Sequence, residues 1–181
     1  LRLWKSVTYA EIFTVGEGIE AHFEDVGHIL GSGTVSLVRG KGKNKKKIVF
    51  TGDIGNNPQP LLAAPTIPQD YDYMVMESVY GDRQHEQVEE RTELLKQYIE
   101  ETQRKNGTLI IPAFSLERTQ GMLLEINNLV ESGAIKPLPV FLDSPLAISV
   151  TDMYRKYPEY LREDVQEQIK GGDDIFNFEG L

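Results

Sequence analysis

Apolar and polar positions alternate with a period of two over GIEAHFEDV (Gly18 to Val26) and again over TVSLVRG (Thr34 to Gly40). That period predicts two half-buried β-strands. KIVFTGD (Lys47 to Asp53) and YDYMVMES (Tyr71 to Ser78) are short apolar runs that predict buried strands, each ending close to a carboxylate, Asp53 or Glu77. The first three runs, joined through a lysine-rich loop, predict a hairpin pair within a larger sheet. The proline-rich stretch 56–70 predicts a connector. After Gly81 the spacing becomes helical. From Gln84 to Lys105 a stripe of Val88, Thr92, Leu95, Ile99 and Thr102 is flanked by charge, with Glu100/Arg104 and Glu101/Lys105 at i,i+4. Asn106-Gly107 stops that helix. TLIIPAF (108–114) predicts a strand, and Ser115 is the expected cap of a helix bearing Thr119, Met122, Leu123, Ile126, Leu129 and Val130 on one face, ended by Gly133. PVFLD (139–143) predicts a third buried strand, followed by a helix with Asp143 or Ser144 as cap and Pro145 in its first turn. Strand–helix alternation predicts an α/β fold, parallel from about residue 73 onward. Asp53, Glu77, Phe114 and Asp143 would then stand at strand carboxyl ends, where such sheets bind ligands.

Composition narrows the chemistry. The 181 residues are 40% hydrophobic, enough for a core. No cysteine is present, which excludes disulfides and thiolate metal sites in this chain. Any metal must be held by His, Asp, Glu or water. No apolar run reaches the roughly 18 residues of a membrane span, and the first residues lack a signal-peptide pattern. These features lead to the expectation of a cytoplasmic protein with no membrane partner. The net charge of −9 is uneven: residues 1–50 hold eight Lys/Arg against five Asp/Glu, and residues 51–181 hold eleven against twenty-three. An acidic total does not favour nucleic-acid binding, although a basic rim or a bound cation can dominate one site. Five lysines between Lys41 and Lys47 read first as a solvated hairpin tip, and second as a contact for a phosphate backbone.

GHILGSG places His28 before Gly31 and Gly33, with Ser32 between them, and TGDIG places Asp53 between Gly52 and Gly55. Rigid ligands beside glycines suit a metal site. Taken singly, Asp53 reads equally as a turn carboxylate and His28 as a half-buried loop histidine. His22 matches no metal pattern and reads as a satisfied strand residue. The longer strings GHILGSGTV, FTGDIGN, ESVYGDR, IPAFSLERTQ and VFLDSPLA occur in one order with plausible gaps. Together they resemble the metallo-β-lactamase-fold RNA nucleases with a β-CASP domain, the group of the cleavage and polyadenylation endonuclease subunit and its bacterial and archaeal relatives. The resemblance runs from about Gly18 to the final FNFEGL.

It implies an α/β fold: part of a metallo-β-lactamase αββα sandwich over 1–76, then the first part of a parallel β-CASP domain over 77–181. It implies a zinc-dependent RNA phosphodiesterase in which His28 and Asp53 bind metal, Asp53 and Glu77 serve catalysis, and RNA is the substrate. Glu77 would orient a histidine acting as general acid. Arg118 and Ser144 would contact substrate phosphates, against the plainer readings of a surface ion-pair partner and a helix cap. A histidine recurs in the family at the place of His85, with no assigned role. Val79 replaces the family's threonine in ESVYGDR. The family's His-x-His-x-Asp-His string and its later histidines are absent from this chain. The expectation is therefore an internal fragment, inactive alone, with its two-zinc site absent or incomplete. Its partners would be the missing segments of the same protein or a second copy in a homodimer. The alternative is a non-catalytic scaffold or RNA-binding subunit of the same fold.

Overall fold

The computed structural model describes residues 3–82 and 88–181. They form a mixed α/β structure in two compact units, 3–57 with 64–82, and 58–63 with the residues after 82. The alternation in the first third of the chain is realised as a five-stranded sheet: β1 (Phe13–Gly16), β2 (Ile19–Asp25), β3 (Gly33–Arg39), β4 (Lys46–Phe50) and β5 (Tyr73–Val75), in that spatial order. β1 to β4 pair antiparallel, while β4 and β5 pair parallel. The register sets His22 opposite Ser36, Ser36 opposite Val49 and Val49 opposite Met74, so these side chains share one face. Thr34, Ser36 and Val49 are almost fully buried there. On the other face the Phe13 and Phe23 rings lie 5.4 Å apart. β1 has no counterpart in the sequence reading.

The lysine-rich segment is the tip of the β3–β4 hairpin, tightened by a single 3-10 turn at Gly42–Asn44. Two of its lysines are used structurally. Lys46 forms an ion pair with Asp72, and Lys47 donates from Nζ to the Gln69 carbonyl at 2.9 Å, tying the connector to β4. β5 is not the buried strand that its apolar run suggested. Among the described residues it is an edge with one neighbour, and Tyr73 and Val75 remain 60% and 53% exposed.

The second unit carries α1 (Val88–Arg104), α2 (Arg118–Glu131), α3 (Pro145–Lys156) and α4 (Glu163–Lys170). The α2 stripe is buried at Leu123, Ile126 and Leu129, and the core also holds Leu61, Tyr154, Leu161, Val165 and Phe176. Each such side chain contributes about 1.5–3 kcal/mol on burial. Of the two i,i+4 pairs expected on α1, Glu101–Lys105 closes as an ion pair. Asn106 takes the left-handed conformation that ends the helix.

Two further expectations are corrected. Residues 108–114 and 139–143 form no strand ladder among the described residues, so no parallel sheet extends past β5. Both runs lack a neighbouring strand, and Ile110, Phe114 and Phe141 are 82%, 72% and 87% exposed. Ser115 is also not the α2 cap. Glu117 holds that position without a capping side-chain bond, and the Ser115 hydroxyl lies 3.3 Å from that of Ser144. Ser144 does cap α3, accepting the Ala147 N–H at 3.2 Å. α4 was not read from the sequence. Among the described residues no helix is long and apolar enough to cross a membrane.

Candidate functional site

His28 sits in the turn between β2 and β3, and the turn is built around Ser32. The Ser32 hydroxyl accepts the N–H groups of both His28 and Ile29 at 3.1 Å. The Ser32 N–H donates to the Ile29 carbonyl at 2.9 Å, and Tyr9 donates its hydroxyl to the Ser32 carbonyl at 2.7 Å. At the turn's entrance Asp25 accepts the Gly27 N–H at 2.8 Å. Burial raises the Asp25 pKa, and that hydrogen bond opposes the shift.

Asp53 follows β4 on a second turn. Its path begins at Gly52, whose φ of +60° suits a residue without a Cβ. It closes at Gly55, whose N–H donates to the Val26 carbonyl at 3.0 Å. The two turns touch so closely that a Cβ on Gly55 would lie 1.9 Å from the Gly27 carbonyl oxygen. The result is a separation of 3.9 Å between His28 Nε2 and Asp53 Oδ2, with both side chains open to solvent.

Glu77 lies just past β5 beside these turns. One carboxylate oxygen accepts the Val79 N–H at 3.0 Å and the other accepts the Ile54 N–H at 3.3 Å. These two hydrogen bonds, Val79's first, lower the Glu77 pKa, and the His28 charge adds to the effect. His28, Asp53 and Glu77 are thus brought together in the first unit.

Arg118 and Ser144 belong to the second unit. The Arg118 guanidinium lies over the Phe114 ring, 5.5 Å from its centroid, and the Ser144 hydroxyl is engaged in the α3 cap. His22 lies on β2 with its Nε2 4.0 Å from Glu24, away from any metal pattern. His85 lies outside the described residues. Tyr9, Ser32 and Thr51 hold the turns in place and were not singled out by sequence reasoning as doing so. Only the placement of Ser32 between two glycines hinted at such a role.

As a donor set, one imidazole nitrogen and one carboxylate oxygen on a shared opening fit two corners of a divalent-cation site. Among the described residues no group of three or more His, Asp or Glu side chains gathers to hold a metal ion.

Residues 119–181 match the Beta-Casp domain model. The chain is 30% identical to a ribonuclease of Thermus thermophilus over 98% of its own length and 39% of that protein's. It is 35% identical to an RNase J-like protein of Methanocaldococcus jannaschii, covering 91% of this chain and 38% of the relative. It is 32% identical to the transcription termination factor FttA of Methanothermobacter thermautotrophicus, covering 91% and 26%. The chain therefore spans between about a quarter and two fifths of the length of these relatives.

Proposed function

We propose, from the match of residues 119–181 to the Beta-Casp domain, that the chain is part of a metal-dependent ribonuclease that hydrolyses RNA phosphodiester bonds. The observation that carries this reading is the 3.9 Å approach of His28 Nε2 to Asp53 Oδ2, on two turns packed backbone to backbone. The names of the relatives from Thermus and Methanocaldococcus support the reaction class.

In this reading His28, through its imidazole, and Asp53, through its carboxylate, would hold the metal. Bound there, zinc would supply Lewis-acid activation of water and of the phosphoryl group. The chain's own contributions are positional and electrostatic. The Ser32 hydroxyl holds the backbone from which the His28 imidazole projects, by accepting its N–H. The exposed Asp53 carboxylate would supply negative charge to a bound cation. Glu77, ionised over a wider pH range than an ordinary glutamate, can also orient a neighbouring histidine as general acid. Of the two residues expected to contact phosphate, Arg118 suits the role better. Its guanidinium can stack on Phe114 and still present its edge to an oxyanion, whereas the Ser144 hydroxyl is committed to its helix.

The test is made on the full-length protein. Zinc is measured by elemental analysis beside single-turnover cleavage of an end-labelled RNA, for the wild type and Asp53→Ala. Loss of zinc and of cleavage together is the expected result. Full zinc content in Asp53→Ala, or cleavage by a wild type stripped of metal, overturns the proposal.

A further inference from the structure

Asp53 has an exposed side chain on a backbone tied on both sides, and the ties converge on two residues of the first unit. On the approach, the Thr51 N–H donates to the Val75 carbonyl at 3.0 Å. The Thr51 hydroxyl donates to the Gly52 carbonyl at 2.8 Å and accepts the Glu77 N–H at 3.3 Å. On the exit, the Ile54 N–H donates to Glu77 Oε1, and the Gly55 N–H donates to the Val26 carbonyl in the His28 turn. Glu77 is itself anchored, because its other oxygen accepts the Val79 N–H two residues along.

From this network we infer that Glu77 is a positioning residue for Asp53. Its carboxylate, together with the Thr51 hydroxyl, clamps the 51–55 turn in the one path that brings the Asp53 carboxylate to His28. The inference rests on the reading of His28 and Asp53 as a metal-holding pair, but the clamp makes its own demands on the molecule.

The physical case is one of competing conformations. A turn containing Gly52 has many backbone paths open to it, and most aim Asp53 elsewhere. Hydrogen bonds from backbone N–H to an ionised carboxylate are stronger than neutral ones. Glu77 makes two of them, to residues on separate segments, and so joins the end of β5 to the Asp53 turn. The Thr51 hydroxyl orients Gly52 from the other side, while also holding the Glu77 backbone. Without the carboxylate, the Ile54 N–H must turn to water, and the peptide next to Asp53 is free to rotate. The role differs from orienting a general acid, because it needs no group beyond this unit.

Amide hydrogen exchange by NMR on this chain tests the clamp, comparing the wild type with Glu77→Ala and Glu77→Gln. In Glu77→Ala the Ile54 and Val79 amides should exchange about tenfold faster or more, as expected for losing a hydrogen bond to a charged acceptor. The amides of Ser36 and Val49 in the sheet should be unchanged. Glu77→Gln keeps one acceptor oxygen, so it should restore protection at one of the two amides and not the other. Unchanged exchange at Ile54 and Val79 in Glu77→Ala overturns the inference. Faster exchange spread evenly over the sheet also overturns it, since that is loss of fold and not of a clamp. A second arm adds manganese(II) and follows paramagnetic broadening at the amides of residues 27–29 and 53. Broadening in the wild type that weakens several-fold in Glu77→Ala supports positioning of the pair. Broadening of equal strength in Glu77→Ala, despite faster exchange at Ile54, overturns the positioning claim. A wild type that manganese leaves unbroadened at these amides overturns metal binding by the His28–Asp53 pair in this chain alone, while the exchange arm still decides the clamp.

Discussion

Ser144 illustrates how one hydroxyl is drawn toward local work. It stands with extended backbone immediately before Pro145, and its oxygen accepts the Ala147 N–H, one of the donors a helix start leaves without an internal partner. A residue holding a cap this way loses stability when shortened. Ser144→Ala should destabilise the second unit by about 0.5–2 kcal/mol, the usual cost of removing a serine cap. Ser144→Asp should recover most of that loss, since aspartate caps as well as serine. Urea unfolding followed by circular dichroism at the helix band measures both. If Ser144→Ala unfolds at the wild-type midpoint, the cap carries no stability and the hydroxyl is free for another role. Arg118 differs from Ser144 in physical terms: its stacking partner Phe114 is itself largely exposed, so the guanidinium keeps an open edge. The sequence displayed both residues in motif strings, but it could not tell which one the fold would use up.

At the scale of elements, the tightest constraint is the crossing of the turns that carry His28 and Asp53. Gly55 cannot carry a side chain there, because its Cβ would lie inside the Gly27 carbonyl group. Gly55→Ala should break the bond to Val26, move the turns apart and cost more than the roughly 1 kcal/mol of a typical point substitution. The check is a crystal structure of the variant with its thermal unfolding. An unchanged His28–Asp53 distance would show that the crossing does not set the pair. Such a contact is not legible in sequence, where TGDIG shows only that glycines flank an aspartate. The β2–β3–β4 meander was legible, because period-two alternation and the glycine and lysine turn residues agree on the same hairpins. The runs 108–114 and 139–143 were read as strands from equally apolar composition, but a strand also needs a neighbour to share its ladder, and composition carries no information about that neighbour. β1 is four residues long and α4 eight, both too short for periodicity to rise above chance. His28 and Asp53 drew notice in the sequence because their glycine-flanked strings stand out, and the fold brings the two side chains together. Tyr9, Ser32 and Thr51, which hold the turns, lack any such mark, since a hydroxyl's role is fixed by what the fold puts next to it.

For the whole molecule, the unpaired runs set the behaviour of the isolated chain. Ile110, Phe114 and Phe141 present large apolar surfaces to solvent in the second unit, and Tyr73 and Val75 do so on the edge strand of the first. Covering one such side chain is worth about 1.5–3 kcal/mol, so a few of them favour association of copies at moderate concentration. Extended segments that have no neighbouring strand among the described residues add to that tendency. The net charge of −9 opposes it, but repulsion between molecules is screened beyond a Debye length, about 8–10 Å at ordinary salt. The chain should therefore self-associate more as salt is raised, and it should bind a fluorescent apolar dye while fully folded. Replacing two of the exposed residues with charge, Ile110→Lys with Phe141→Lys, should reduce dye binding and light scattering at equal protein concentration. Because neither side chain is packed, the double variant should keep the wild-type thermal midpoint to within a degree or two, as surface substitutions do. A drop in midpoint well beyond that would mean that these residues sit in a core and are not exposed. Dye binding unchanged from the wild type would place the sticky surface elsewhere, with the edge strand at Tyr73 and Val75 the next site to charge.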